Sequence, residues 1–216
     1  GDTVQYAYQE ELLGTGHAVM QTKPVLEGKK GSTFILCGDT PLLTTETLNK
    51  MLKKHERTNA ALTILTACIE NPKGYGRIIR DSKTSRVLAI KEDRDCNEHE
   101  KYINEINSGV YVVNNELLYK YLDKITPNNN QNEYYLTDLV KLFVEDNLLV
   151  ESFIIEDSVE IYGVNDRTQL AYASKVIKNK VNKKLMLEGV SLEDPKTTYI
   201  SPDVEIGPDT HILPNT

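Results

Sequence analysis

A chain of 216 residues with 39% hydrophobic and 26% charged side chains can bury the core of one ordinary to large domain, with or without an appendage, and is not the composition of a disordered polymer. Its net charge of −7 argues against nucleic-acid binding as the main activity, so a phosphate ligand must be met by local donors or by a metal ion. No apolar run approaches the roughly 20 residues of a membrane span and no signal-peptide pattern opens the chain, which points to a cytoplasmic protein engaging neither membrane nor nucleic acid.

In chain order, Gln9 to Ala18, QEELLGTGHA, reads as a polar turn leading into a helix from about His17. Two glycines flanking a hydroxyl let backbone N–H groups approach a flat or anionic ligand, although a glycine-rich helix start is the commoner meaning of such a run. Thr33 to Cys37, TFILC, is an apolar, β-branched run of the kind buried inside a sheet. Gly38 stops it and Asp39 follows at once, putting a carboxylate at the carboxyl end of a strand, where open α/β sheets take their ligands. Asp39 either caps a turn or faces such a ligand. Thr44 and Thr45 open a helix in which Leu48, Met51 and Leu52 keep helical spacing to about Arg57.

Ala61 to Cys68 is a second buried strand. NPKGYGRI (71–78) is a turn feeding a strand to Arg80, and 86–90 is a short strand closing on Lys91 and Glu92. The charged stretch 93–101 reads as a solvated loop. Glu105 to Val113 is a strand containing Asn107, and residues 116–124 form a helix. Asn132-Glu133-Tyr134-Tyr135-Leu136-Thr137-Asp138 starts another, with Leu139, Leu142 and Phe143 on its inner face. A strand at 149–155 completes an alternation of strand and helix that predicts an α/β sandwich with a largely parallel sheet. Gly163-Val164-Asn165-Asp166-Arg167 then precedes a long helix whose Leu170, Ala173, Ile177, Val181 and Leu185 step by three and four, with Asn165 or Asp166 suited to its N-cap and Gly189 to its stop.

The tail changes period. Ile200, Ile206 and Ile212 recur every six residues, the mark of a parallel β-helix, which needs about three coils to stand alone. Of the three cysteines, Cys37 and Cys68 lie in apolar strand-like runs where a buried thiol is expected, whereas Cys96 falls in the charged stretch and should be exposed. An odd count without ligand spacing argues against a disulfide framework or a zinc site.

Together GTGHA, CGDTPL, GYGRI, EINSG, EYYLTD and GVNDR, in this order and followed by a six-residue repeat, closely resemble the bifunctional N-acetylglucosamine-1-phosphate uridyltransferase/glucosamine-1-phosphate acetyltransferase family over essentially the whole chain. The resemblance implies a Rossmann-like α/β nucleotidyltransferase sandwich with a mostly parallel mixed sheet (1–165), a linker helix (166–189) and the onset of a left-handed parallel β-helix (190–216). It implies magnesium-dependent transfer from UTP to N-acetylglucosamine 1-phosphate, giving UDP-N-acetylglucosamine, a cell-wall precursor, and pyrophosphate. By the same match Gln9, Gly14 and Thr15 belong to the nucleotide site, Gly76, Glu92, Asn107 and Asn165 to the sugar site, and Asp39 with Asn165 to the metal site. No side chain is implied as a nucleophile. A hard Mg²⁺ with one or two protein oxygens, phosphates and waters agrees with that ligand set.

The chain departs from the family pattern at both ends. No Gly-x-Gly-Thr-Arg-Met-like run with its phosphate-embracing Arg and Lys precedes Gln9, and little of the acetyltransferase β-helix, through which the family assembles as homotrimers, follows. The chain is therefore expected to be an interior stretch of such an enzyme, either acting as this uridyltransferase, or serving another hexose 1-phosphate, or binding sugar nucleotide without turnover.

Overall fold

One strand of ten residues, Glu105–Asn114, carries the sheet. The computed structural model describes residues 3–216. In chain order its elements are α1 (Thr15–Met20), α2 (Lys23–Leu26), β1 (Ser32–Ile35), α3 (Thr45–Thr58), β2 (Leu62–Cys68), β3 (Arg77–Arg80), β4 (Val87–Lys91), β5 (Glu105–Asn114), α4 (Asn115–Leu122), α5 (Asp138–Glu145), β6 (Val150–Ile154), α6 (Arg167–Leu187), β7 (Ser191–Leu192) and β8 (His211–Ile212). They divide into two units: the chain up to Cys37 with Thr45–Ser158, and Gly38–Thr44 with Val159–Thr216.

In the first unit the strand order is β4-β3-β5-β2-β6, with β1 also on β5. The sheet is mixed, but the expected parallel majority is absent: β2–β6 is parallel, while β1–β5, β2–β5, β3–β4 and β3–β5 are antiparallel. Alternating strands and helices do not by themselves force crossovers. Here β3 and β4 close as a hairpin on Asp81, whose Oδ1 accepts the N–H groups of Lys83 and Thr84 at 3.0 and 2.7 Å, and β5 then runs back against its neighbours.

β2 is buried from Leu62 to Ala67 because β5 and β6 cover its edges. The strand before Asp39 is shorter and more open than expected, since among the described residues β1 pairs with β5 alone. The thiols reverse their expected places for related reasons. Cys37 and Cys68 are exposed at or beyond strand ends, and Cys96 is buried. The stretch 93–101 is solvated at Arg94, 97–99 and Lys101, as expected, but it contains short 3-10 turns and its Asp93 carboxylate turns inward to the buried Arg77 guanidinium 2.8 Å away.

The core forms where α4 and α5 cover the sheet. Leu118, Leu122, Leu139 and Phe143 are fully enclosed against Ile64, Tyr111 and Val113, and the Phe143 ring meets Tyr121 edge-on at 4.8 Å. Losing a ring such as Phe143 from this cluster costs about 3–5 kcal/mol. α5 starts at Asp138 rather than Asn132, so EYYLT remains a turn on the site side of the sheet.

In the second unit the Asp39 carbonyl accepts the Val164 N–H at 2.8 Å, and the Thr44 N–H reaches Glu160 Oε2 at 2.9 Å. Asp166, not Asn165, is the N-cap of α6. Its Oδ1 takes the N–H groups of Thr168 and Gln169 at 2.8 Å each, and Gln169 Oε1 returns to the Asp166 N–H at 3.1 Å. α6 ends before Gly189, whose φ is +95°. Asn182 is buried on α6 and donates to the carbonyls of Pro195 and Thr198 at 2.9 and 3.0 Å. β7 and β8 pair in parallel, Ser191 with His211 and Leu192 with Ile212.

Candidate functional site

The GTGHA turn is held by the EYYLT turn. Tyr134 N–H donates to the Leu13 carbonyl and Gly16 N–H to the Tyr134 carbonyl, each at 2.8 Å, and Leu136 N–H donates to Thr15 Oγ1 at 3.1 Å. Gly14 has φ +108°, and a Cβ on either Gly14 or Gly16 would lie 2.8 Å from the Tyr134 carbonyl oxygen. The glycines are thus required first by contact with the chain itself, and the Gly16 N–H is engaged internally. Gln9 Nε2 reaches the Gly14 carbonyl at 3.3 Å and His17 Nδ1 at 3.0 Å, while Gln21 Nε2 lies 3.1 Å from the other ring nitrogen. Which ring nitrogen donates and which accepts depends on the tautomer, while Gln21 Nε2 also donates to the His17 carbonyl at 3.0 Å. His17 is a clamp between the two glutamines.

Gly76, Glu92 and Asn107 come together although they stand on β3, β4 and β5 or their ends. Asn107 N–H donates to the Gly76 carbonyl at 2.8 Å, and a Cβ on Gly76 would lie 3.5 Å from both Glu92 carboxylate oxygens. Burial pushes the Glu92 carboxyl above its ordinary range. The Thr137 hydroxyl, donating at 3.3 Å, pulls the other way, and the neighbouring Asp95, Asp138 and Asp93 charges add to the rise. Burial also raises Asp138.

Beside them opens a cavity of about 250 Å³ bordered by Thr15, Val19, Ile35, Glu92, Asn107 and Tyr111. Its floor is shaped by an irregularity in β5. Between the pairs Ile64–Tyr111 and Thr66–Asn107, β2 advances two residues and β5 four, with Gly109 at φ +78° in the bulge. The bulge turns Asn107 so that its Oδ1 accepts the Gly109 N–H at 3.1 Å and its Nδ2 donates to the Tyr111 hydroxyl at 2.7 Å.

In the second unit, Asp39 and Asn165 are both exposed. A Cβ on Gly163 would lie 3.8 Å from Asp39 Oδ2 and 3.8 Å from Asn165 Nδ2, so both side chains border one space that glycine leaves open. Among the described residues no group of three or more His, Cys, Asp and Glu could hold a metal. A carboxylate and an amide carbonyl nonetheless fit an ion that takes few protein oxygens and keeps phosphate and water ligands.

Two polar groups of the recess carry weaker signals in the sequence: Thr137 lies within the EYYLTD motif, and Tyr111 follows the isolated Gly109 inside a strand pattern, which marks a bulge. The described residues also contain no helix long and apolar enough to cross a membrane.

Comparisons with known proteins agree with this arrangement. The chain is 46% identical to the bifunctional protein GlmU of Staphylococcus saprophyticus over 99% of its length, 49% to that of Limosilactobacillus reuteri over 98%, and 46% to that of Bacillus subtilis over its full length. It spans 47%, 46% and 47% of those relatives, about half their length. Its fold is similar to that of a UDP-glucose pyrophosphorylase solved with UDP-glucose, with TM-score 0.55, 17% identity, and 77% of this chain and 64% of that one covered. Residues 2–162 match the nucleotidyl transferase family, to which the chain therefore belongs.

Proposed function

We propose that this chain carries a uridyltransferase that joins UTP and N-acetylglucosamine 1-phosphate into UDP-N-acetylglucosamine, a cell-wall precursor, with release of pyrophosphate. The observation that carries the reading is the convergence of Gly76, Glu92 and Asn107 beside one cavity that Thr15 also borders. Membership of the nucleotidyl transferase family and the similarity to GlmU proteins support it.

The chemistry asks little of side chains as reactants. An oxygen of the sugar phosphate attacks the α-phosphorus of UTP, the bond from that phosphorus to the bridging oxygen breaks, and pyrophosphate leaves. The acceptor is already a phosphate oxygen, so the protein must align and neutralise rather than supply a nucleophile. Gln9, Gly14 and Thr15 hold the nucleotide. Glu92 accepts from sugar hydroxyls, Asn107 offers one N–H and one lone pair beyond its internal bonds, and Gly76 lets the backbone come close to the sugar. Asp39 and Asn165 would hold magnesium. When bound, the ion supplies positive charge to the phosphate oxygens.

In this reading residues 1–165 form the transferase domain, 166–189 a linker helix, and 190–216 the opening of a left-handed parallel β-helix. The parallel β7–β8 pair and the six-residue isoleucine spacing support the last of these. Further coils would make the whole protein a homotrimer.

Pyrophosphate release from UTP and N-acetylglucosamine 1-phosphate, measured with and without magnesium beside a UDP-N-acetylglucosamine titration, tests the proposal. Turnover that needs both substrates and the metal is expected. Binding without turnover would favour a sugar-nucleotide binder, and turnover with glucose 1-phosphate at equal efficiency would reassign the sugar.

A further inference from the structure

The Gly109 N–H fixes the orientation of the Asn107 amide, because only the carbonyl oxygen can accept it, at 3.1 Å. Nδ2 must then face the Tyr111 hydroxyl, and the phenol oxygen accepts at 2.7 Å. The phenol proton is consequently directed away from Asn107. Tyr111 is 3% exposed, yet it borders the cavity beside Glu92 and Asn107. A buried hydroxyl whose proton is not taken up by Asn107 and whose side chain borders a cavity can donate to a group that enters it.

The partner's chemistry follows from the walls. Ala18, Val19, Ile35, Leu36 and Leu136 line the same cavity, so the group that enters is largely apolar. Tyr111 presents a proton while its oxygen is already engaged by Asn107. That pairing favours a ligand atom that accepts and does not donate, and a carbonyl bearing a small alkyl group meets both conditions. A hexose hydroxyl would bring its own proton into apolar surroundings. We propose that Tyr111 is a specificity-determining residue that donates to the acyl carbonyl of the sugar's acetamido group, whose methyl packs on the neighbouring aliphatic side chains. The proposal rests on the sugar-nucleotide reading above. Burial raises the Tyr111 pKa and keeps the hydroxyl protonated, as a donor must be.

The test is Tyr111→Phe, titrated with UDP-N-acetylglucosamine and with UDP-glucose, which lacks the acyl group. The ring and its packing remain, and a thermal melt checks the fold. Affinity for the acylated ligand should fall about tenfold, as for one lost buried hydrogen bond, with affinity for UDP-glucose unchanged. Equal weakening of both ligands would mean that Tyr111 acts only by holding Asn107, and no change in either would remove it from recognition; both results overturn the proposal. A wild-type protein that binds neither ligand would overturn the sugar-nucleotide reading as well, and the wild-type titration separates that failure from the other two. Should the Phe variant not melt cooperatively, 3-fluorotyrosine at position 111 replaces it. Its more acidic phenol should tighten the acylated ligand relative to UDP-glucose, and an unchanged ratio sinks the idea.

Discussion

The two groups of candidate ligand residues are built on opposite plans. Glu92 and Asn107 sit in a partly closed recess where each polar atom is set by another: Thr137 on Glu92, Gly109 and Tyr111 on Asn107. Asp39 and Asn165 are exposed, and their segments are tied through the backbone, by Val164 N–H on the Asp39 carbonyl. Reading a neutral polyol needs desolvated groups already in position, because water competes for every hydroxyl. Holding a hydrated divalent ion needs a few oxygens left open to water and phosphate. Under the proposed function, burial cost and ligand type account for the contrast without appeal to sequence distance.

This contrast predicts that the two regions fail differently. Asp39→Asn removes the single carboxylate of the open pair, and magnesium-dependent turnover should drop by on the order of 10²–10³ or more, as for other preorganised charges. The melting temperature should barely move, since the side chain is exposed and the backbone bond to Val164 survives. A variant with wild-type pyrophosphate release would reduce Asp39 to a turn residue. In the recess, Glu92→Ala should weaken sugar-nucleotide binding by about 1.5–3 kcal/mol per lost charge-assisted bond, with UTP affinity nearly constant. Calorimetric titration with both ligands checks the division, and equal losses would erase it.

Gly14→Ala forces a side chain into φ +108° and against the Tyr134 carbonyl. It should cost about 1–3 kcal/mol of stability, visible as a lower denaturant midpoint, and an unchanged midpoint would show that the turn relaxes freely.

The smallest effect is also the most discriminating. Glu92 has a folded-state pKa raised mainly by burial. Its neutral form is the one the fold prefers, so this contribution to stability is present below the unfolded carboxylate pKa and is lost as pH rises through the raised folded value. Glu92→Gln keeps the shape and stays neutral. The ligand-free variant should therefore match wild type at acid pH and melt slightly higher at neutral pH, while binding sugar more weakly. Melting curves at both pH values decide it, and a gap that widens towards acid pH would contradict the burial argument.

Much of this was legible from residues alone. The strands around β2 and β5, the helix from Thr45, the capped start of α6 and the motif order all follow from local pattern, which is short-range and strongly expressed. Sheet direction was not, because strand–helix alternation is compatible with either sense and the β3–β4 hairpin decided it. The positions of the thiols were missed for a similar reason. Exposure depends on which neighbour covers a strand end, and the burial of Cys96 follows from a distant Arg77 that needs Asp93. The convergence of Gly76, Glu92 and Asn107 came from family resemblance. The bulge that ties Asn107 to Tyr111 was hinted at only by Gly109.

The splice between the GTGHA and EYYLT turns has a consequence for the order of assembly. Leu136 and Thr15 are 121 residues apart, yet their bond joins the first residue of the six-residue helix α1 to a turn with no regular structure of its own. Closing so long a loop costs entropy before any contact returns it, whereas α4 and the strand β5 that precedes it meet locally. The GTGHA segment is accordingly expected to be docked late in folding and to open early under mild denaturant, by a local route that leaves the sheet intact. Amide exchange at Gly16 and Leu136 should be far faster than along β2; exchange at all three sites only through global unfolding would refute this order.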